Sequence, residues 1–482
     1  SLVGSEMCIR DRAAYLYASV GASAKIGVGI ASKTFSKSIE IWGKNNSPVR
    51  VYYHIEDGVL RTSCTRGKEF AAQGGWTSYW TSPGSRYFNP AGVGSYFDAG
   101  AGAGGAIVPI YTYTLDDANR ATITGYSGNA TALYIPGEID GHEVVAIGDR
   151  AFENRTDLRT VMIPDSVTEI EAYSFNNCTN LSNVTLSKSL KYMGGRAFGS
   201  CEKITQIEIP KSLDNCGNSG YASYHGPFGA CSGLKKITFE EGATEVSNGL
   251  FRGCTGLEEI NIPDGVTKIE SSSFEDCINL VSVNISDSVI KIENEAFAGC
   301  EKIESINIPD SVTEIGESTF ANCSKLSNVK LSKNLEYMGG RAFGSCEKIT
   351  QIEIPKSLDN CGNSGYASYH GPFGACSGLK KITFEEGTTE ISSGLFRGCT
   401  GLEEINIPNS VTEIESSSFE DCINLVSVNI PDSVIKIGNE AFAGCKKIES
   451  INIPDSVTEI GGSTFANCSK LSNVKLSKNL EY

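Results

Sequence analysis

Residues 448–468 read IESINIPDSVTEIGGSTFANC, and the spacing of their apolar positions decides the fold. Apolar side chains stand at Ile448, Ile451, Ile453, Val457, Ile460 and Phe465. Neither a helical period nor one long strand fits that spacing. The run I-x-x-I-x-I predicts a short strand, S-V-x-x-I a second extended piece, and the stretch around Phe465 and Cys468 a single tight helical turn. One such coil cannot close its own core. Stacked coils close it together, with parallel strands about 4.8 Å apart.

The same unit recurs outward from this copy. Phenylalanines stand at 152, 175, 198, 228, 251, 274, 297, 320, 343, 373, 396, 419, 442 and 465, spaced by 23 residues except for two intervals of 30. The blocks starting at Asn183 and Asn328 are nearly identical, which points to an internal duplication. Ile-Pro closes the first strand at Pro164, Pro210, Pro263, Pro309, Pro355, Pro408, Pro431 and Pro454, where a missing N–H ends a hydrogen-bond ladder without loss. Glycines such as Gly148, Gly316 and Gly461 are expected to allow a sharp bend before the helical turn.

The pattern of Ile448 to Cys468 resembles the BspA-type leucine-rich repeats. The segment from Tyr113 to Phe152, with Ile135-Pro136, Asp140-Gly141 and Ile147-Gly148, resembles the entry coil of such arrays. The expected fold is therefore α/β: a right-handed leucine-rich-repeat solenoid, β-rich, with one short helical turn per 23-residue coil and about 65 Å long. The resemblance implies a secreted or surface-displayed protein, extracellular in location, of a family with members linked to adhesion to host proteins or other cells. Its partner would then be a protein or glycoprotein on a host or neighbouring cell.

The domain plan has five parts. Residues 1–12, SLVGSEMCIRDR, read as a non-native segment, and 13–95 as a small β-rich N-terminal domain with strands expected in SIEIW and VRVYYH. Residues 96–106 read as a Gly/Ala-rich linker, 107–150 as the entry coil, and 151–482 as the solenoid, expected to stop within a repeat because KNLEY at 478–482 repeats 333–337. Trp76, Tyr79 and Trp80 read either as core aromatics or as a sugar-stacking patch.

Composition narrows the function. A formal net charge of −16, with no basic run, argues against nucleic acid, and no apolar run is long enough to span a membrane. The four histidines, His54, His142, His225 and His370, form no metal-binding or catalytic spacing. No cofactor loop, metal site or catalytic residue is expected, and the chain is read as a non-enzyme. Thirteen cysteines, Cys178 to Cys468, each follow a repeat phenylalanine by three residues, which predicts a ladder of buried thiols. Cys216 and Cys361 fall in the two insertions and are expected to be exposed; so many unpaired thiols suggest a reducing habitat.

Two surfaces are candidates for binding. The insertions 214–227 and 359–372 share DNCGNSGYASYHGP and offer Tyr221, Tyr224 and His225, or Tyr366, Tyr369 and His370, as a paired recognition loop; the alternative is a tolerated duplicated loop. The outward face of the first strand carries Asn261, Asn284, Asn307, Asn406, Asn429 and Asn452, read as a polar binding stripe or as a structural amide ladder. These features favour a non-catalytic protein-binding or adhesion module. The alternative is a carbohydrate-binding or spacer module of a larger secreted enzyme.

Overall fold

The computed structural model describes residues 111–217, 226–362 and 370–481, and the backbone of seven strands between Ile9 and Phe88. The chain divides into two compact units, residues 1–144 with 157–164, and residues 145–156 with 165–482. In the first unit, Ile9–Asp11, Ala14–Ser19 and Lys25–Ile30 form one antiparallel sheet. Phe35–Trp42, Pro48–Glu56, Val59–Cys64 and Arg86–Phe88 form another. The expected linker and Trp76, Tyr79 and Trp80 lie outside the described residues. The entry segment opens with the hairpin Tyr111–Leu115 and Ala121–Tyr126, and Asp140 and Gly141, at φ 53° and 87°, turn a second one.

The second unit is a β-solenoid. Each coil gives two short parallel strands because its apolar residues alternate with polar ones: Glu259–Asn261 buries Ile260 between two exposed side chains, and Lys268–Ile269 buries Ile269. Pairing runs at one-coil register, Lys268 to Lys291 to Glu314 to Tyr337. Inside, the repeat phenylalanines form one column, with ring centroids 4.9 Å apart at Phe152 and Phe175 and 5.9 Å at Phe373 and Phe396. Phe297 and Phe320 lie within 3° of parallel, as in-register stacking requires. Burying each ring contributes roughly 1.5–3 kcal/mol.

The expected helical turn is replaced by another geometry, and no helix occurs among the described residues. Around Phe175, the N–H groups of Tyr173, Phe175 and Asn177 donate to Gly195, Ala197 and Gly199 of the next coil at 3.2, 2.7 and 2.8 Å. The intervening Ser174, Asn176 and Cys178 donate three residues back within their own coil. A helix would aim every N–H along its own axis, whereas this alternation sends every second one along the stack. It requires left-handed backbone two residues either side of the ring, as at Tyr173 and Asn177, Ser272 and Asp276, and Ser318 and Asn322. The class is accordingly all-β within the solenoid.

Gly316 also differs from expectation. Its φ is not among the positive ones; instead, a Cβ there would lie 2.5 Å from the backbone nitrogen of Asn294 in the preceding coil. Close approach, not a bend, is what the glycine allows.

Candidate functional site

The two insertions leave the stack at equivalent places. Cys216 pairs in register with Met193, and Cys361 with Met338, so each cysteine fills an inward position of the second strand. Both are buried, at 6% and 8% exposure, which corrects the expectation that they are exposed. Burial pushes the Cys361 thiol up to about 12. The second-strand ladder then stops at Asn215–Cys216 and Asn360–Cys361 and restarts at Glu245–Val246 and Glu390–Ile391. Serines close the break: Ser247 Oγ donates to the Leu213 carbonyl at 3.0 Å and Ser392 Oγ to Leu358 at 2.8 Å.

A tyrosine stands at the mouth of each insertion. A Cβ at Gly217 would lie 2.0 Å from Tyr192 Oη, and one at Gly362 2.4 Å from Tyr337 Oη, so each phenol rests on a glycine. Burial is the main reason both phenols titrate above their ordinary value. These tyrosines stand where most other coils carry Glu or Lys, a signal that the sequence carried.

Glycines also bed the returning chain. Gly371 N–H donates to Arg397 and its carbonyl accepts from Arg341, each at 3.0 Å; Gly226 bonds Arg252 and Arg196 in the same way. A Cβ at Gly226 would lie 1.7 Å from the Gly249 oxygen, and one at Gly371 1.8 Å from the Gly394 oxygen. His370 is half-buried rather than carried at a loop tip, its ring against Gly398, where a Cβ would come within 2.1 Å of Nδ1. Burial, and then the Arg341 charge, hold its pKa below the ordinary 6.5, with Asp421 opposing. Nearby, Arg397 pairs with Glu420 at 2.8 Å, as Arg252 pairs with Glu275 at 2.5 Å. Tyr221, Tyr224, His225, Tyr366 and Tyr369 lie outside the described residues.

The asparagines occupy the first strand and are exposed. Asn261 pairs in register with Asn284, and Asn406 with Asn429, whose amides bond at 3.4 Å. Asn307 and Asn452 neighbour Lys330 and Lys475. The stripe is thus two three-coil runs, on a different strand from the insertion mouths. Among the described residues no group of three or more His, Cys, Asp or Glu could hold a metal ion, and no helix is long and apolar enough to cross a membrane.

The family model for the BspA-type leucine-rich-repeat region matches in six copies, over residues 145–272, 224–317, 244–371 and 369–482. The chain belongs to the BspA-type leucine-rich-repeat family. Among solved structures, a leucine-rich repeat protein from Bacteroides ovatus is 27% identical, with a TM-score of 0.53 over 78% of this chain and 89% of its own. A leucine rich cell surface protein from Faecalibacterium prausnitzii is 30% identical over 76% of this chain and 93% of its own, at a TM-score of 0.38. No curated protein matches.

The BspA-type cysteine is more than a small apolar filler. In eleven coils its Sγ donates to the carbonyl of the repeat phenylalanine one coil back, at 3.0–3.4 Å. Cys254 and Cys399, in the coils just after the insertions, depart from that pattern; burial holds each at about 12. Thiols so buried stay neutral and unreactive without reducing surroundings. The buried cysteines among the described residues therefore carry no inference about habitat.

Proposed function

We propose that this BspA-type array is a non-catalytic recognition module displayed outside the cell, which takes a protein or glycoprotein partner at its two insertion mouths. The observation that carries the reading is the bedding of each returning chain on Gly226 or Gly371. A merely tolerated loop needs no such contact, whereas a recognition loop gains affinity when its ends are held in place. The two mouths repeat the same surface six coils apart, about 29 Å at strand spacing, so a partner displayed densely is held by both at once. The polar groups beside the mouth support a binding rather than a catalytic role. Arg397 is engaged by Glu420, and His370 is sunk against glycine, where burial lowers its pKa.

The test compares the full chain with variants lacking 218–225, 363–369 or both, on immobilised extracellular-matrix proteins and on intact cells. The double deletion should abolish binding, and each single deletion should weaken it by about 10–100-fold through lost avidity. Undiminished binding by the double deletion removes the insertions from the account.

A further inference from the structure

The first-strand face carries a pattern that the insertions do not explain. At the position of Asn261, successive coils from Glu208 to Lys475 read Glu-Thr-Asn-Asn-Asn-Lys, twice over, and all twelve side chains are exposed. Read backwards, the row is Lys-Asn-Asn-Asn-Thr-Glu. Laid against a forward copy, every lysine meets a glutamate and every remaining position pairs an amide with an amide or a hydroxyl.

Two further rows on this side obey the same centre. At the position of Glu259 the coils read Gln-Lys-Glu-Ser-Ser-Asn, twice, and the reversed copy sets each charged residue against a serine. At the position of Glu258 they read Thr-Lys-Glu-Val-Glu-Ser, twice, and the reversed copy sets each lysine against a glutamate and the other glutamates against valine. No like charges meet in any row. The same rows laid in the forward sense would put Lys on Lys and Glu on Glu, which is repulsive.

We propose that this face binds a second copy of the chain, with the two solenoid axes antiparallel about a two-fold axis along the strand direction. A two-fold of that orientation keeps each row opposite itself and reverses its order, as the pairing requires. Lys330 then faces the partner's Glu353, at the centre, and Glu208 faces the partner's Lys475, at the rim. The amide runs between them meet in register: Asn284 faces the partner's Asn406. Lys235 and Lys380, each already paired within the chain to Glu258 and Glu403, gain the partner's Glu449 and Glu304. Because the insertions follow the second strand, self-association on the first leaves both mouths open, so this inference stands independently of the proposed partner binding.

The size of the contact sets its strength. Twelve coils at about 4.8 Å, three side-chain rows wide, give roughly 500–600 Å² per chain, below the usual 800 Å² of a stable complex. The dimer is therefore weak, reversible and, being charge-guided, sensitive to salt.

Sedimentation velocity of the full chain, from micromolar to near-millimolar concentration, tests this. The expected result is a concentration-dependent monomer–dimer equilibrium that shifts to monomer as sodium chloride is raised. Lys330→Glu places like charges on both central pairs and should weaken the dimer by roughly tenfold or more; adding Glu353→Lys to it should restore the dimer. Both residues are exposed, so circular dichroism should be unchanged across the series. A chain that sediments as monomer throughout overturns the proposal, as does a dimer indifferent to Lys330→Glu or not recovered by the charge swap.

Discussion

At the residue scale, the cysteine shows how one side chain serves both packing and hydrogen bonding. Cys300 is fully buried, and its Sγ lies 3.2 Å from the Phe274 carbonyl, which also accepts the Cys277 N–H at 3.2 Å. Burial first, and then the neighbouring Cys277 and Cys323, keep the thiol far above its ordinary pKa. Since only the thiolate is an effective nucleophile, alkylation of native protein should leave the ladder thiols from Cys201 to Cys445 unmodified at neutral pH, and denaturation should expose them all. Peptide mass spectrometry after iodoacetamide reads this out. Rapid modification of Cys300 in the native state would contradict the column. The fixed offset from phenylalanine made the ladder legible in the sequence; the carbonyl acceptor was not, because it belongs to the preceding coil.

At the scale of the element, the turn around each phenylalanine sets the fold's tolerance. Its left-handed positions accept Asn, Asp and Gly readily, and Ser272, Tyr173 or Glu295 at a cost of about 1–2 kcal/mol, offset by a bond to the next coil. The A-F-x-x-C spacing alone fits a helical turn equally well, so the alternation of N–H directions had to be seen. The insertions were legible as insertions but misplaced by residue type. Cys216 stands 23 residues after Met193, so coil register had already put it inside the strand. Where the coil closes after an insertion, space is the constraint. Gly371→Ala would set a Cβ 1.8 Å from the Gly394 oxygen, which is backbone and cannot swing away. That variant should lose about 1–3 kcal/mol in denaturant unfolding, whereas Gly387→Ala, whose Cβ meets nothing within 4 Å, should lose only the smaller cost of its left-handed φ of 88°.

At the scale of the whole solenoid, the chain reads as a ruler. One coil adds two short strands, one ring to the phenylalanine column and, from Cys178 on, one thiol beside it, so position along the array follows from residue number once the two insertions are counted. Function is less legible at this scale, because a repeat fixes where a surface recurs and not what touches it. The most direct measurement is the distance between spin labels at Asn261→Cys and Asn406→Cys. It should be made with Cys8, Cys64 and the partly exposed Cys468 replaced by serine and with Lys330→Glu present to keep the chain monomeric. Six stacked coils predict one narrow distribution near 29 Å. A broad distribution, or a mean far from that value, would contradict the stacking of one 23-residue coil on the next.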